Sequence, residues 1–312
     1  MRAFIFPGQG SQSVGMGKAL AEASVAAREV FEVVDHALGQ NLFKLMCDGP
    51  IAELTLTENA QPAIMANAIA TLRVLEKEGG VRLSGKCDFV AGHSLGEYTA
   101  LCAAGALPLA VTASLLKLRG RVMQAAVPEG VGAMAALLGA DIEKAEALAA
   151  AAAHGRICTV ANDNDPGQVV ISGHNNAILR AIDMVKEYDI KRGVLLAVSA
   201  PFHCPLMQPA ADEMAKALET TTIHAPLVPL FANITAAPVA DPHIIAAQLV
   251  EQVTGRVRWR ESAIAMHSAG VAHFVEFGGK VLSPMVKRSA GEDVTTTSVI
   301  SMDDIEALLK EI

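Results

Sequence analysis

Apolar residues in this chain fall into short unbroken runs separated by longer segments with helical spacing. Ala3-Phe4-Ile5-Phe6 is ended by Pro7-Gly8. That is the pattern of a strand buried on both faces and running into a glycine-rich loop. A helical pattern spans Gly17 to Leu38. Another spans Gln61 to Glu78, with Pro62 in its first turn and Gly79-Gly80 at its end. Asp88-Phe89-Val90-Ala91 is a second short strand, which Gly92-His93-Ser94-Leu95-Gly96 turns into the next helix. Tyr98 to Leu116 carries no charge over 19 residues, close to a bilayer-spanning length. Gly105 and Pro108 interrupt it, so the segment reads as two buried helices joined by a turn.

The pattern changes between residues 126 and 198. Gly132 to Gly139 reads as a strand and Ile142 to Ala153 as a helix. Ile157 to Ala161 and Gln168 to Ser172 read as strands around the turn Asn164-Asp165-Pro166-Gly167. Asn175 to Tyr188 is a helix and Gly193 to Val198 a strand. The order β-α-β-β-α-β is ferredoxin-like. Alternating strands and helices elsewhere argue for an α/β fold with a mainly parallel sheet. The expected organisation is a large α/β domain from 1–125 and 199–312, with a small ferredoxin-like subdomain inserted at 126–198.

Composition narrows the function classes. The 312 residues can bury a core without disulfides or metals. Asp plus Glu outnumber Lys plus Arg by 33 to 25, a net charge of −8, which argues against general nucleic-acid binding. Cys47, Cys87, Cys102, Cys158 and Cys204 are odd in number and form no Cys-x-x-Cys pair, as free thiols in a reducing compartment would. Met1-Arg2 precedes only four apolar residues before Pro7, too few for a signal peptide, so a cytoplasmic location is expected. No metal-ligand spacing is present: there is no His-Glu-x-x-His, and His203-Cys204 alone is a weak signal.

The strongest chemical signal is Gly92-x-Ser94-x-Gly96 between a strand and a helix. A serine on so sharp a turn needs small neighbours. Its hydroxyl then projects from the sheet, and the helix N-terminus offers N–H groups to a developing oxyanion. A serine nucleophile needs a base. Of nine histidines, His93 adjoins Ser94 but points another way on a sharp turn, and suits a pocket-shaping role. His203, in Pro201-Phe202-His203-Cys204 where the inserted unit rejoins its parent, is the preferred base. The loop Gly8-Gln9-Gly10-Ser11-Gln12 fails as a phosphate loop, because Gly10-x4-Gly15 is followed by Met16. It is either a donor of a second oxyanion N–H or a plain tight turn. Arg119, on a helix rich in Leu and Ala, suits a bidentate contact to a carboxylate or phosphate, whereas Lys117 and Arg121 read as solvated charges.

Taken together these motifs resemble the malonyl-CoA:acyl-carrier-protein transacylase family of fatty-acid synthesis. The resemblance runs along nearly the whole chain. It includes Phe6-Pro7-Gly8-Gln9-Gly10-Ser11-Gln12, Gln61-Pro62-Ala63, Gly92-His93-Ser94-Leu95-Gly96-Glu97-Tyr98 and Arg119-Gly120. Met123-Gln124-x-Ala126-Val127-Pro128, Pro166-Gly167-Gln168-Val169-Val170-Ile171-Ser172-Gly173 and Pro201-Phe202-His203 continue it. The chain departs from the family pattern at Asp165 and at Phe277-Gly278-Gly279-Lys280-Val281-Leu282, which looks one residue short.

The resemblance implies an α/β-hydrolase-like core with a ferredoxin-like subdomain and a ping-pong transfer through a malonyl-serine. Ser94 is then the nucleophile, His203 its base, and the main-chain carbonyl of Gln252 the group that orients the imidazole. The N–H groups of Gln9 and Leu95 form the oxyanion hole. Arg119 clamps the malonyl carboxylate, Phe202 crowds the α-carbon against methylmalonyl groups, and Asn162 stands near the cleft. Malonyl-CoA and holo acyl carrier protein are substrates, and no cofactor, nucleic-acid partner, membrane association or stable oligomer is expected. Lys191-Arg192, Lys280 and Lys287-Arg288 are candidates for docking an acidic carrier. A thioesterase or esterase on the same elbow is the alternative. The missing acidic third member and the arginine clamp weigh against it.

Overall fold

The computed structural model describes all of residues 1–312. Strands β1 (Arg2–Phe6) and β2 (Phe89–Gly92) lie side by side and parallel, with Phe6 opposite Gly92. The chain then forms β3 (Gly132–Leu138), β4 (Cys158–Asp165), β5 (Gln168–His174) and β6 (Arg192–Leu195). It returns through β7 (Leu230–Ala232), β8 (Ala237–Val239), β9 (His273–Phe277) and β10 (Thr295–Val299). The larger sheet has the order β10-β9-β1-β2-β7-β8, parallel except for the β7–β8 pair. The smaller has the order β4-β5-β3-β6 and is antiparallel throughout, the ferredoxin-like arrangement.

Alternation along β1 shows why the apolar run is unbroken. Phe4 and Phe6 enter one core, where both pack against Phe277, while Ala3 and Ile5 enter a second core with Phe231, Trp259 and Phe274. Helices therefore cover both faces of the large sheet. The small sheet is split in the same way. Ala133, Ala135 and Leu137 pack under its own helices, while Met134 and Ala136 join the large core. The two units share buried surface, and we take residues 126–198 as the inserted subdomain on that pattern.

Several boundaries differ from the hydrophobic pattern. The segment from Gly17 to Leu38 is two helices, Lys18–Ala23 and Val25–Leu38. They break at Ser24, whose hydroxyl accepts the Ala27 N–H as an N-cap. The second long helix starts earlier than expected, at Thr57, so Pro62 lies inside it. Asn175–Met184 is α-helical, but Val185–Tyr188 tightens to a 3-10 turn. The last small-sheet strand ends at Leu195 rather than Val198.

The larger correction is at β4, which runs past Ala161 through Asn162-Asp163-Asn164-Asp165, taking in Asn164 and Asp165, which were expected in the turn. All four of those polar residues are buried. Hydrophobic periodicity misses them because charge satisfies them. Arg260 chelates Asp163, its Nε 2.9 and 3.1 Å from the two carboxylate oxygens, and Arg288 holds Asp165 at 2.7 Å. Asn162 pairs with Val257 in a short parallel bridge. These contacts fasten the small sheet to helices Trp259–Ser268 and Leu282–Ala290 of the large unit. Arg288 is therefore already committed, which weakens it as part of a docking patch. Lys117 is likewise partnered, donating to Gln40 and Asn59. The short loop at Gly278-Gly279 is closed by Glu276, whose carboxylate accepts the Val281, Leu282 and Ser283 N–H groups.

Replacing Arg260 by Met leaves the Asp163 carboxylate, which is 0 % exposed, without its counter-ion. A loss of about 3 kcal/mol is expected, read as a lower urea midpoint. Adding Asp163→Asn to that variant should recover part of the loss. An unchanged midpoint for the single variant contradicts the fastening role.

Candidate active site

The turn after β2 forms because two positions have no room for a side chain. A Cβ on Gly92 would sit 1.9 Å from the carbonyl oxygen of Gly96, and one on Gly96 would sit 2.3 Å from the carbonyl of Phe6. Between them Ser94 takes φ 52°, ψ −111°, and heads helix Leu95–Ala103. His203 also has a positive φ, 58°. Each such backbone costs roughly 1–3 kcal/mol and persists only where its surroundings hold it. At Ser94 the holder is Asn233. Its Oδ1 accepts the Ser94 N–H at 2.8 Å, and its Nδ2 donates to the Gly92 carbonyl at 2.7 Å.

The Ser94 hydroxyl lies 2.8 Å from His203 Nε2, and the opposite ring nitrogen, Nδ1, lies 2.8 Å from the main-chain carbonyl of Gln252. That carbonyl can only accept, so Nδ1 carries the proton and Nε2 is left to accept from Ser94. Arg119 Nη2 donates to the same Ser94 oxygen at 3.2 Å. The hydroxyl hydrogen is thereby directed at the imidazole.

Arg119 is 1 % exposed. Its Nη1 donates to Gln61 Oε1 at 2.8 Å and its Nη2 to Gln252 Oε1 at 2.9 Å, and its Cζ stands 5.7 Å from the Tyr98 ring centroid. No carboxylate touches it. Gly120, pressed against Thr57 and Glu58, lets helix Leu109–Ala125 cross the start of helix Thr57–Lys77 closely enough to bring Arg119 to Gln61. Burial pushes the His203 imidazole down to about 3, and the Arg119 charge adds to that push. Burial likewise holds His93 below the ordinary histidine value. Glu97, one turn into the elbow helix, is pushed up to about 7 by burial.

A cleft of about 340 Å³ opens over this group, and Gln9, Ser94, Arg119, Asn162, Phe202 and His203 line it. The first loop and the elbow are neighbours across the β1–β2 pair. The Gln9 N–H has no protein partner, and Leu95 is the first residue of its helix, where the N–H is free. His93 lines the cleft with Nε2 2.8 Å from Asn164 Oδ1, away from the Ser94 hydroxyl. Asn162 and Phe202 reach the cleft without bonding to Ser94 or His203. The sequence reading missed Gln61, Asn233, Glu97 and Asn164. Gln61 and Glu97 stood inside quoted motifs without a role, and Asn233, after a short strand, carried no local signal at all.

An α/β core that presents a serine on an elbow, a histidine against it and a buried cation beside it is the layout of a serine-dependent acyl-transfer enzyme. Comparison with known proteins narrows the class. Residues 3–300 match the acyl transferase domain family. The malonyl CoA-acyl carrier protein transacylase of Bacillus subtilis is 42 % identical over 310 residues, 99 % of this chain and 96 % of that protein. The enzyme of that name from Escherichia coli K12 is 41 % identical over 300 residues, 96 % of this chain and 95 % of that protein. Among solved structures, the acyl-carrier-protein-S-malonyltransferase of Bartonella henselae superposes with a TM-score of 0.97 at 50 % identity, covering 99 % of this chain and 98 % of that one. A malonyl-transacylase in complex with a type II PKS acyl-carrier protein gives 0.95 at 38 % identity, covering 100 % of this chain and 99 % of that one. The chain belongs to the malonyl-CoA:acyl-carrier-protein transacylase family.

An imidazole can accept the Ser94 proton only while neutral, and His203 is held neutral well below the ordinary histidine range. The rate at which phenylmethylsulfonyl fluoride modifies Ser94 is expected to stay level as pH falls from 8 to 5. An acid limb near 6.5 contradicts the buried, cation-flanked environment.

Proposed function

We propose that this chain moves a malonyl group from coenzyme A to the phosphopantetheine thiol of acyl carrier protein, through a malonyl-Ser94 intermediate. The observation that carries the reading is the Ser94 oxygen, shared between a neutral imidazole and a buried guanidinium. Ser94 loses its proton to His203 Nε2 and attacks the thioester carbonyl. The Gln9 and Leu95 N–H groups receive the oxyanion, each worth roughly 3 kcal/mol by analogy with removed oxyanion donors. His203 returns the proton to the departing CoA thiolate. The carrier thiol then attacks the acyl-serine by the reverse path.

Arg119 takes the free carboxylate of the malonyl group, which turns a buried cation into a pair and orients the acyl chain. That carboxylate also offsets the charge that depresses His203, so the base strengthens when the right substrate is present. Phe202 beside the base crowds the α-carbon. All of these steps use protein side chains and backbone, and the reading calls for no cofactor. The Gln252 carbonyl stands where hydrolases of this type place a carboxylate, which argues against the hydrolase alternative. Lys191, Arg192, Lys280 and Lys287 are exposed and without ion pairs, and suit an acidic carrier. No helix is long and apolar enough to cross a membrane. Five free cysteines and thiol substrates fit a cytoplasmic enzyme.

Intact mass after brief exposure to malonyl-CoA tests the reading. The expected result is one malonyl group on the wild type and none on Ser94→Ala, with discharge by holo acyl carrier protein much faster than by water. Loss to water at the same rate marks a hydrolase, and no adduct marks a binding protein.

A further inference from the structure

The transfer mechanism leaves the buried Glu97 carboxylate unused. Glu97 is 1 % exposed, and it sits one residue beyond the elbow glycine. Its Oε2 accepts from Gln252 Nε2 at 2.6 Å and from the Asn233 N–H at 3.2 Å. Its Oε1 has no partner. The Gln252 amide is therefore a bridge. Its oxygen accepts from Arg119 at 2.9 Å while its nitrogen donates to Glu97. A carboxylate oxygen that is ionised can only accept, so Glu97 also fixes which way the amide faces. Turned over, the amide would aim its NH2 group at a guanidinium.

We propose that Glu97 is the resting counter-charge of Arg119, held one amide away, and that arrival of the substrate carboxylate at Arg119 is accompanied by uptake of one proton at Glu97. It is a positioning residue and touches no reacting atom. The separation matters. A carboxylate bonded directly to Arg119 would compete with the substrate, whereas one held across Gln252 offsets part of the buried charge and leaves the guanidinium available. When the substrate carboxylate docks, two negative charges share one cation in a dry site, which favours protonation of one of them. The proton comes from solvent and binds at Oε1, so the bonds at Oε2 are kept.

The surroundings leave Glu97 as the group that titrates. Arg119, from the facing helix, is the one charge that acts on it. Tyr98 on its own helix is pushed up to about 12 and His203 down to about 3, so both stay neutral near pH 7. The end of β7 and helix Pro242–Thr254 present the amides of Asn233 and Gln252, and the end of β1 presents backbone to Gly96. Glu97 itself stands at about 7, so binding and protonation overlap at working pH.

This inference rests on the malonyl-transfer reading. The test uses malonyl-N-acetylcysteamine, which lacks the phosphates of CoA, and follows single-turnover loading of Ser94 by mass. For the wild type the half-saturating concentration is expected to rise between pH 6 and 8.5, by about tenfold for each unit by which the carboxylate raises Glu97. Acetyl-N-acetylcysteamine, which brings no charge, should show no such rise. Glu97→Gln keeps the shape, cannot titrate, and should give a level profile for the malonyl thioester. A level wild-type profile, or the same slope in Glu97→Gln, overturns the proposal while loading itself still stands. The wild-type arm decides the matter even if the variant does not fold. Absence of any mass gain overturns the transfer reading beneath it.

Discussion

A guanidinium buried without a carboxylate in contact is the constraint that organises this molecule. A lone buried cation is costly, and proteins normally pair it or neutralise it. Here Arg119 is held by two amide oxygens, a hydroxyl and a tyrosine face. Hydrogen bonds to neutral acceptors satisfy most of its donors, and the nearest carboxylate, Glu97, stands one amide away across Gln252. The site is thus preorganised for an anion, and the anion has to arrive next to the Ser94 hydroxyl. That is a physical description of selectivity for an acyl group with a free carboxylate.

Much of the fold serves to hold this arrangement. The two phenylalanines of β1 anchor the strand that carries the first loop, and the register with β2 sets that loop against the elbow. Helix Leu109–Ala125 reaches Gln61 only because Gly120 admits close packing. Gln252 links four residues at once. Its carbonyl orients His203, its amide oxygen takes Arg119, and its amide nitrogen holds Glu97 and the Ser94 carbonyl. The small sheet is tied on by buried Asp163 and Asp165, so the wall of the cleft near Asn162 is fixed to the catalytic unit.

What the sequence made legible was whatever local sterics or periodicity dictates. The elbow could be read because Gly-x-Ser-x-Gly between a strand and a helix has a single geometric use. The ferredoxin-like order could be read because its strands and helices are short and cleanly separated. Arg119 stood out as a charge on an apolar helix. The family resemblance singled out Gln9 and Leu95 within a loop and a helix N-terminus that local pattern had already marked, and it supplied Gln252, which no local pattern marks. Asn233 and Gln61 stayed hidden because their roles arise from contacts 139 and 58 residues away in sequence. The polar end of β4 was misread because buried charge obeys pairing rather than hydrophobic period.

The central claim is that Arg119, buried with no carboxylate in direct contact, selects the carboxylated acyl group. It is tested most directly by the ratio of malonyl to acetyl loading on Ser94, measured by intact mass at matched thioester concentrations in the wild type and in Arg119→Ala. The account predicts that the variant loses malonyl loading by about 100-fold while acetyl loading changes only a few-fold, so the ratio collapses. Equal losses for the two acyl groups, with the ratio preserved, would mean that Arg119 merely supports the serine and histidine, and would contradict the account.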